Sequence, residues 1–136
     1  MGPDMSAKRN LTAEERRERT VDTVIDLSAQ DDPANITTGS IAKHMRVTQG
    51  ALFRHFPSKD AIWEAVIGRI AERVIKRLDK AAASAETPLA ALEAMFHAHI
   101  AFIVEHPGVP RLMMGQLQHA RPTPARRMVR SLLFRY

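Results

Sequence analysis

Residues 36–60 read ITTGSIAKHMRVTQGALFRHFPSKD, and this segment carries the clearest pattern of secondary structure in the chain. It contains two short segments with the composition of helices. Each is preceded by a threonine, a residue that commonly caps a helix N-terminus. Thr38 precedes a segment that ends at Met45, and Thr48 precedes one that ends near Phe56. Two short helices joined by a turn of three or four residues are typical of a helix-turn-helix.

The residues before this stretch predict a first helix that completes a three-helix head. Thr12 is the expected N-cap, and Glu14 and Glu15 place negative charge in the first turn, where the helix dipole favours it. Pro33 ends the helix because the residue before a proline disfavours the helical backbone. The apolar residues that recur at three- to four-residue spacing are Val21, Val24 and Ile25.

The residues after the stretch predict four further helices and no strand. Ser58 caps a long fourth helix, and Thr87 caps a fifth, with a proline directly after it. Pro110 begins a sixth helix that ends near His119, and Thr123 caps a seventh.

We therefore expect an all-α protein in two parts. A three-helix N-terminal head with a helix-turn-helix covers residues 1–60, and a helical domain covers residues 61–136. The long fourth helix belongs to both parts, so it is the expected place for a hinge between them.

The distribution of charge is more informative than the net charge of +5. Residues 1–60 contain nine Lys or Arg and nine Asp or Glu, whereas residues 61–136 contain eleven and six. Between residues 37 and 59, four cations and two histidines occur without an acid. Such a cluster fits contact with phosphate and also fits an ordinary solvated helix surface.

The start of the second short helix has the composition of a surface that enters the DNA major groove. Gln49 carries a long amide that can pair with adenine, and its neighbours Gly50 and Ala51 let the backbone approach closely. Thr38 and Lys59 lie where flanking helices begin, and exposed amides there favour phosphate. The apolar residues expected on the opposite face of this helix are Leu52 and Phe56.

These residues closely resemble the DNA-binding signature of the TetR family. Residues 47–60 follow the family pattern S-x-G-x-L-Y-x-H-F and then x-S-K-E, and the similarity covers about residues 16–68. The resemblance implies a bacterial transcriptional regulator, most simply a ligand-responsive repressor that binds a palindromic double-stranded DNA operator as a homodimer. The residues that it places at the DNA are Thr37, Thr38, Thr48, Gln49, Gly50, Ala51, Phe53, Arg54, His55 and Lys59.

The resemblance also suggests how the work is divided among these residues. Thr38 would cap the second helix against a phosphate, Gln49 and its neighbours would face bases, and His55 and Lys59 would hold phosphates. Phe53 is open between the core and the interface, and Arg54 between solvent and a flanking phosphate.

The sequence departs from the family pattern at three positions. Arg46 stands where a glycine is usual in the turn, although a left-handed backbone is often required there. Phe53 replaces a tyrosine, which removes one phenol donor to phosphate. Ser28 occupies a position that is often aromatic, so we expect a thinner core in the head.

In the family the remaining helices form an effector-binding and dimerisation domain. Here the large apolar side chains of the fifth helix, Leu89 and Leu92 among them, are expected to face inward. With the sixth helix they could line a site for a small lipophilic effector; ordinary core packing is the alternative. The candidate ligand residues are Met95, Phe96, His99, Phe102, Ile103, Met113, Met114 and Leu117.

Several kinds of chemistry are not expected. The absence of cysteine excludes disulfides and thiolate sites. His97 and His99 lie on different helix faces, so no metal site is expected. No catalytic triad order, glycine-rich phosphate loop or carboxylate pair is present, so we expect neither an enzyme nor a cofactor. No apolar run reaches the length of a membrane span, which predicts a cytoplasmic protein without a membrane partner.

The last segment combines many arginines with an apolar stripe. Since the further helices that build the family's dimer interface do not follow, we expect a truncated domain or a shortened member, with missing helices or a partner subunit over the stripe. The alternative is a helical protein–protein adaptor that kept the head and uses this tail to bind an acidic partner. The residues concerned are Arg121, Arg126, Arg127, Arg130 and Arg135, and Met128, Val129, Leu132, Leu133 and Tyr136.

Overall fold

A computed structural model of the chain describes residues 11–135. Within this range the protein is all-α, with no strand, so the expected fold class is confirmed. The helices are α1 (Ala13–Gln30), α2 (Thr38–Met45), α3 (Gln49–Phe53), α4 (Lys59–Ala83), α5 (Pro88–Glu105), α6 (Val109–Leu117) and α7 (Pro124–Arg135), with a 3-10 helix at Pro33–Asn35.

The helix starts follow the capping residues of the sequence. The expected caps of α1, α3, α4, α5 and α7 each accept a hydrogen bond from the backbone amide three residues on. The oxygen-to-nitrogen distances are 3.0–3.1 Å. These side chains satisfy amides that would otherwise lack a partner at the first turn. The residues that provide the caps are Thr12, Thr48, Ser58, Thr87 and Thr123.

Two expected boundaries were wrong. The cap of α2 is Thr37, so Thr38 is the first helical residue and not the cap. The third helix ends at Phe53, three residues before Phe56. Both differences are small, but they change which backbone amides and side chains are exposed at the surface of the head.

The core of the head is formed where α1, α2 and α3 pack around the first turns of α4. Phe56, Ile41 and Ile62 are each about 1% exposed or less, and Trp63 is 7% exposed. Burying a side chain of this size contributes roughly 1.5–3 kcal/mol. Ser28 is also fully buried, and its hydroxyl donates to the carbonyl oxygen of Ile25.

The long helix α4 links the head to the rest of the protein. Three arginines spaced four residues apart on one face pair with acids of other helices. Arg69 binds Glu18 of α1 at 3.0 Å, and the next, Arg73, binds Asp22 of α1 at 2.7 Å. The third pair joins Arg77 to Glu105 of α5. These three ion pairs form a ladder along α4 that sets its register against α1 and α5.

The face of α5 that packs against α4 is not the one expected. Phe102 is the one buried residue of the helix, and its neighbours on that face at three- to four-residue spacing include alanines. The large side chains point outward, contrary to the sequence expectation for three of them. Their exposed fractions are 76% for Leu89, 65% for Leu92, 63% for Phe96, 43% for Ile100 and 74% for Val104.

By length and composition, α5 also qualifies as a helix that could cross a membrane, with a mean hydropathy of 1.2 over 18 residues. The sequence pattern predicted no apolar run of this length. One such helix is weak evidence for a membrane, and no other described helix meets the same criteria. An apolar surface of this kind is more generally a mark of an interaction site.

Helix α6 docks on the end of α1 through two small residues. A Cβ atom added at Gly108 would overlap the backbone carbonyl and the hydroxyl of Ser28. Any larger side chain at either position would push α6 away from α1. The serine that was expected only to thin the core therefore makes room for a contact between the head and the body.

The apolar stripe of α7 is largely covered. Ala125, Val129 and Leu132 are buried, and α7 packs against α4 and α6. Leu133 is 55% exposed and Phe134 94%, so the exposed apolar surface is confined to the end of the helix. Tyr136, which the expectation included, lies outside the described residues.

Candidate nucleic-acid interface

The short helix α3 presents its N-terminal end to solvent and its back to the core. The Thr48 hydroxyl accepts the amide of Ala51 at 3.0 Å, which fixes the first turn. Gln49 and Gly50 are exposed, while Leu52 is only 2% exposed. The side-chain amide of Gln49 and the backbone at Gly50 therefore face solvent, while Leu52 holds the helix against the core.

The turn before α3 has the backbone shape that the family signature requires, although it lacks the usual glycine. Arg46 is left-handed, with φ 58° and ψ 42°. The Arg46 amide donates to the carbonyl of Lys43 at 3.1 Å, and the Val47 amide to that of Ala42 at 3.0 Å. These bonds close the end of α2 as in a Schellman motif.

The N-terminus of α2 is held by a reciprocal capping box. The amide of Ser40 donates to the Thr37 hydroxyl at 3.0 Å, and the amide of Thr37 donates to the Ser40 hydroxyl at 2.8 Å. Thr37 is exposed and Thr38 is half-buried. Since the family resemblance gave the capping role to Thr38, that assignment moves to its neighbour.

Gly39 is a residue of the site that sequence reasoning did not single out. A Cβ atom at this position would lie 3.1 Å from the Nε2 atom of Gln49 and 3.6 Å from the Thr37 hydroxyl. The glutamine amide therefore rests beside the first turn of α2. The signal in the sequence was a glycine inside a helix, where it weakens the helix unless close packing needs it.

The start of α4 places a cation beside the head. Ser58 accepts the amide of Ala61 at 3.1 Å, and the Nζ atom of the exposed Lys59 lies 6.0 Å from the ring centroid of Trp63. At this distance the aromatic face attracts the ammonium group. Lys59 therefore lies at the N-terminus of α4, where the helix dipole also favours an anion.

The remaining candidate residues surround the end of α3. Phe53 is 41% exposed, Arg54 is exposed and His55 is half-buried. Phe56, behind them, is covered by the guanidinium of Arg17 at 5.0 Å from the ring centroid. Phe53 is therefore available at the surface, whereas Leu52 and Phe56 belong to the core as expected.

The candidate ligand residues are not gathered in one enclosed cavity. Phe102 lies against α4, Met113 and Leu117 pack on the core, and Phe96 points to solvent. Met95, His99 and Ile103 are half-buried along α5. Of this set, Met114 alone lines a groove beside the start of α4.

That groove has a volume of about 790 Å³. It lies between the 3-10 helix, the start of α4 and α6, and its lining includes Lys59, Trp63, Arg111 and His119. Two acids, Asp32 and Asp60, also line it. Within residues 11–135, this groove included, no three His, Asp or Glu side chains come together in an arrangement that could hold a metal ion.

The sequence profile of the bacterial regulatory proteins of the tetR family matches residues 22–66. This range contains all of α2 and α3, the turn between them and the first two turns of α4, which carry the geometry described above. The chain belongs to the TetR family. The family resemblance expected from the sequence is thereby confirmed.

The chain is also similar to named relatives and to a solved structure. It is 34% identical over 89 residues to the nucleoid occlusion factor SlmA of Aliivibrio fischeri. The aligned region covers 65% of this chain and 45% of the relative. It is 30% identical over 105 residues to that of Actinobacillus pleuropneumoniae, covering 76% and 52%. The chain thus spans about half the length of these curated relatives.

The solved structure is a tetR-family transcriptional regulator from Streptomyces coelicolor. It superposes with a TM-score of 0.71 and 25% identity, covering 90% of this chain and 54% of that one. The similarity includes helices beyond the head, so the arrangement of the body also follows the family. Membership of a family of regulators agrees with the expectation that the chain is not an enzyme.

Proposed function

We propose that the chain is a sequence-specific DNA-binding transcriptional regulator. The observation that carries this proposal is the exposed N-terminal end of α3, with Gln49 outward and Leu52 locked into the core behind it. A helix of this kind enters the major groove with its first residues against base edges. The capped starts of α2 and α4 on either side then contact phosphates.

In this proposal, Gln49 reads a base, and Gly50 and Ala51 allow the backbone to approach. Thr37, at the cap of α2, and Lys59 anchor the head to the backbone. Thr38, Thr48, Phe53, Arg54 and His55 complete the surface around these two anchors. Because Gln49 rests beside Gly39 in the free protein, it must swing away or pair from that position when DNA binds.

The finer parts of the proposal concern the whole regulator. We propose that residues 1–60 form the head and residues 61–136 the regulatory domain, and that a homodimer binds a palindromic operator. In that arrangement the half-sites would be about 34–36 Å apart. We further propose that a small lipophilic effector releases the DNA, so that the protein acts as a repressor in the cytoplasm.

The test is fluorescence anisotropy on a duplex selected from a random library by repeated binding to this chain. Lys59→Ala should weaken binding to the selected duplex and to a scrambled duplex alike. Gln49→Ala should lower the affinity for the selected duplex and relax the preference at one base pair, a loss of about 1–3 kcal/mol. Equal competition by scrambled DNA against the wild-type chain would overturn the proposal.

The relatives' name supports a second candidate, in which the same head serves nucleoid occlusion rather than the control of particular genes. Chromatin immunoprecipitation with the tagged native protein separates the two. Enrichment confined to a few promoters supports a gene regulator. Enrichment at many sites spread over the chromosome, away from promoters, supports the nucleoid role.

A further inference from the structure

The net positive charge of the protein comes from its last 31 residues. From residue 106 onward there are six arginines and no Asp or Glu, whereas residues 1–105 contain fourteen cations and fifteen acids. The head with the proposed recognition helix is therefore electrically neutral as a whole. Long-range attraction for a polyanion must come from the segment that contains α6 and α7.

The arginines of this segment are available. Among the described residues, the arginine–acid pairs are those of Arg69, Arg73 and Arg77, all on α4. None of the six arginines after residue 105 takes part in one. Arg111, Arg121, Arg127 and Arg130 are exposed. A planar guanidinium with several donors suits a phosphate group better than an ammonium does.

The first part of this segment, from Arg111 to Arg121, lies near the head. Arg111 and His119 line the same groove as Lys59, the proposed phosphate anchor at the start of α4. Arg121 follows His119 by two residues, so its Cα atom lies within about 7 Å of that of His119 along the chain. Two acids, Asp32 and Asp60, line the groove with these cations, and Arg121 lies outside its lining.

The other end of the segment points away from the head. Arg135 lines one groove with Glu72 and Asp79 and another with Glu64, all of them on α4. Because α4 rises about 1.5 Å per residue, Asp79 is roughly 30 Å from Lys59 along the helix. The basic segment thus has a front near the head, with Arg111 and Arg121, and a back on α7, the helix that carries Arg130 and Arg135 and packs along α4.

We propose that the front of this segment is a second phosphate-binding surface, which extends the DNA contact from Lys59 to Arg111 and Arg121. The inference rests on the proposed function and adds to it a contact from the body. The occupant is the DNA backbone outside the bases that α3 reads, so the contact carries no sequence preference. It neutralises phosphates and releases their counterions.

The experiment compares two double variants on a scrambled duplex, by anisotropy over a range of salt concentrations. The front variant is Arg111→Gln with Arg121→Gln, and the matched control, Arg130→Gln with Arg135→Gln, removes the same charge from the back. Each neutralised phosphate contributes about 0.9 to the slope of log K against log salt. The front variant should therefore lose about 2 in slope, and the control nearly nothing.

The same difference appears in the DNA affinities of the wild-type chain and the front variant. Between about 50 mM and about 200 mM salt, the advantage of the wild-type chain over the front variant should shrink roughly tenfold. Equal slopes for the front variant and the control would overturn the inference. If Lys59→Gln still lowered the slope in that case, the proposed DNA-binding head would stand without a contact from the body.

The two proposals can fail separately. Binding in which scrambled and selected duplexes compete equally, with a slope that depends on Arg111 and Arg121, would support the second surface and reject the sequence-specific regulator. No binding of any duplex by the wild-type chain would overturn both. Thermal unfolding of each variant, followed by circular dichroism, confirms that the compared proteins are folded.

Discussion

Arg46 shows how one residue can keep a backbone shape for which it is poorly suited. It is the one non-glycine residue with a positive φ among residues 11–135. A side chain in this conformation costs about 1 kcal/mol relative to glycine. The hydrogen bonds of Arg46 and Val47 to the end of α2 hold the turn and outweigh this cost.

The replacement Arg46→Gly should therefore stabilise the protein by about 1 kcal/mol in urea unfolding. Arg46→Ala is the control, since alanine has the same steric penalty as arginine and should leave the stability nearly unchanged. A glycine variant no more stable than the alanine variant would show that the turn carries no strain.

The capping box at α2 distinguishes two adjacent threonines. Thr37 accepts the amide of Ser40, whereas Thr38 is the first helical residue. Thr37→Ala should cost about 1 kcal/mol of unfolding free energy because the amide loses its partner. Thr38→Ala should cost much less. If thermal unfolding gave the larger loss for Thr38→Ala, the cap assignment would be wrong.

At the scale of elements, the contact between α6 and α1 depends on the absence of a side chain at Gly108. Gly108→Ala should destabilise the protein by roughly 1–3 kcal/mol, since the added methyl meets the backbone of Ser28. Gly115→Ala, inside α6 with open space around it, should stabilise by about 0.5–1 kcal/mol. Urea unfolding that gave both variants the same sign would contradict this packing.

The contact between α4 and α5 has an electrostatic signature. The hydrogen bond from Arg77 lowers the pKa of Glu105, and the attraction of the two charges adds to it against partial desolvation. Since the folded state favours the ionised carboxylate, this stabilisation is present above the ordinary carboxyl pKa. It is lost as the pH falls through the lowered value.

Arg77→Gln should raise the pKa of Glu105 toward its ordinary range. An NMR titration of the Glu105 carboxyl carbon measures this directly. Arg73→Gln is the matched control because Arg73 pairs with Asp22 instead. An unchanged Glu105 titration in the Arg77 variant would mean that the pair is not formed in solution.

The sequence predicted the elements better than their faces. Caps such as Thr48 and Ser58 fixed helix starts because the cap is a local hydrogen bond. The N-cap of α2 was predicted at Thr38 and not at Thr37 because both residues can cap a helix. The choice depends on Ser40, which lies three residues after the observed cap. The end of α3 could not be predicted from the local sequence, because neither Arg54 nor His55 disfavours a helix.

The face of α5 was predicted wrongly for a physical reason. Its apolar residues surround the whole helix, so the 3.6-residue period does not identify the side that packs. Alanines on the α4 side let the two helices approach closely, and the large residues such as Phe96 are left outside. The candidate ligand residues stay a prediction: Phe96 faces solvent, whereas Met95, His99 and Ile103 of α5 are half-buried.

At the scale of the whole molecule, the neutral head and the basic segment are joined through α4. The ladder of Arg69, Arg73 and Arg77 ties α4 to α1 on one side and to α5 on the other. Exposed ion pairs of this kind each contribute about 0–1 kcal/mol, so the ladder sets register more than stability. Through these contacts α4 connects α5 of the body to α1 of the head.

The central claim is that the N-terminal end of α3, between the starts of α2 and α4, is the surface that reads DNA. The most direct measurement is an NMR titration of the ¹⁵N-labelled chain with the selected duplex and with a scrambled one. Amide shifts should change most at residues 37–40, 48–52 and 58–61, and the changes near Gln49 should occur with the selected duplex only. Changes confined to α5, or identical changes near Gln49 with both duplexes, would contradict it.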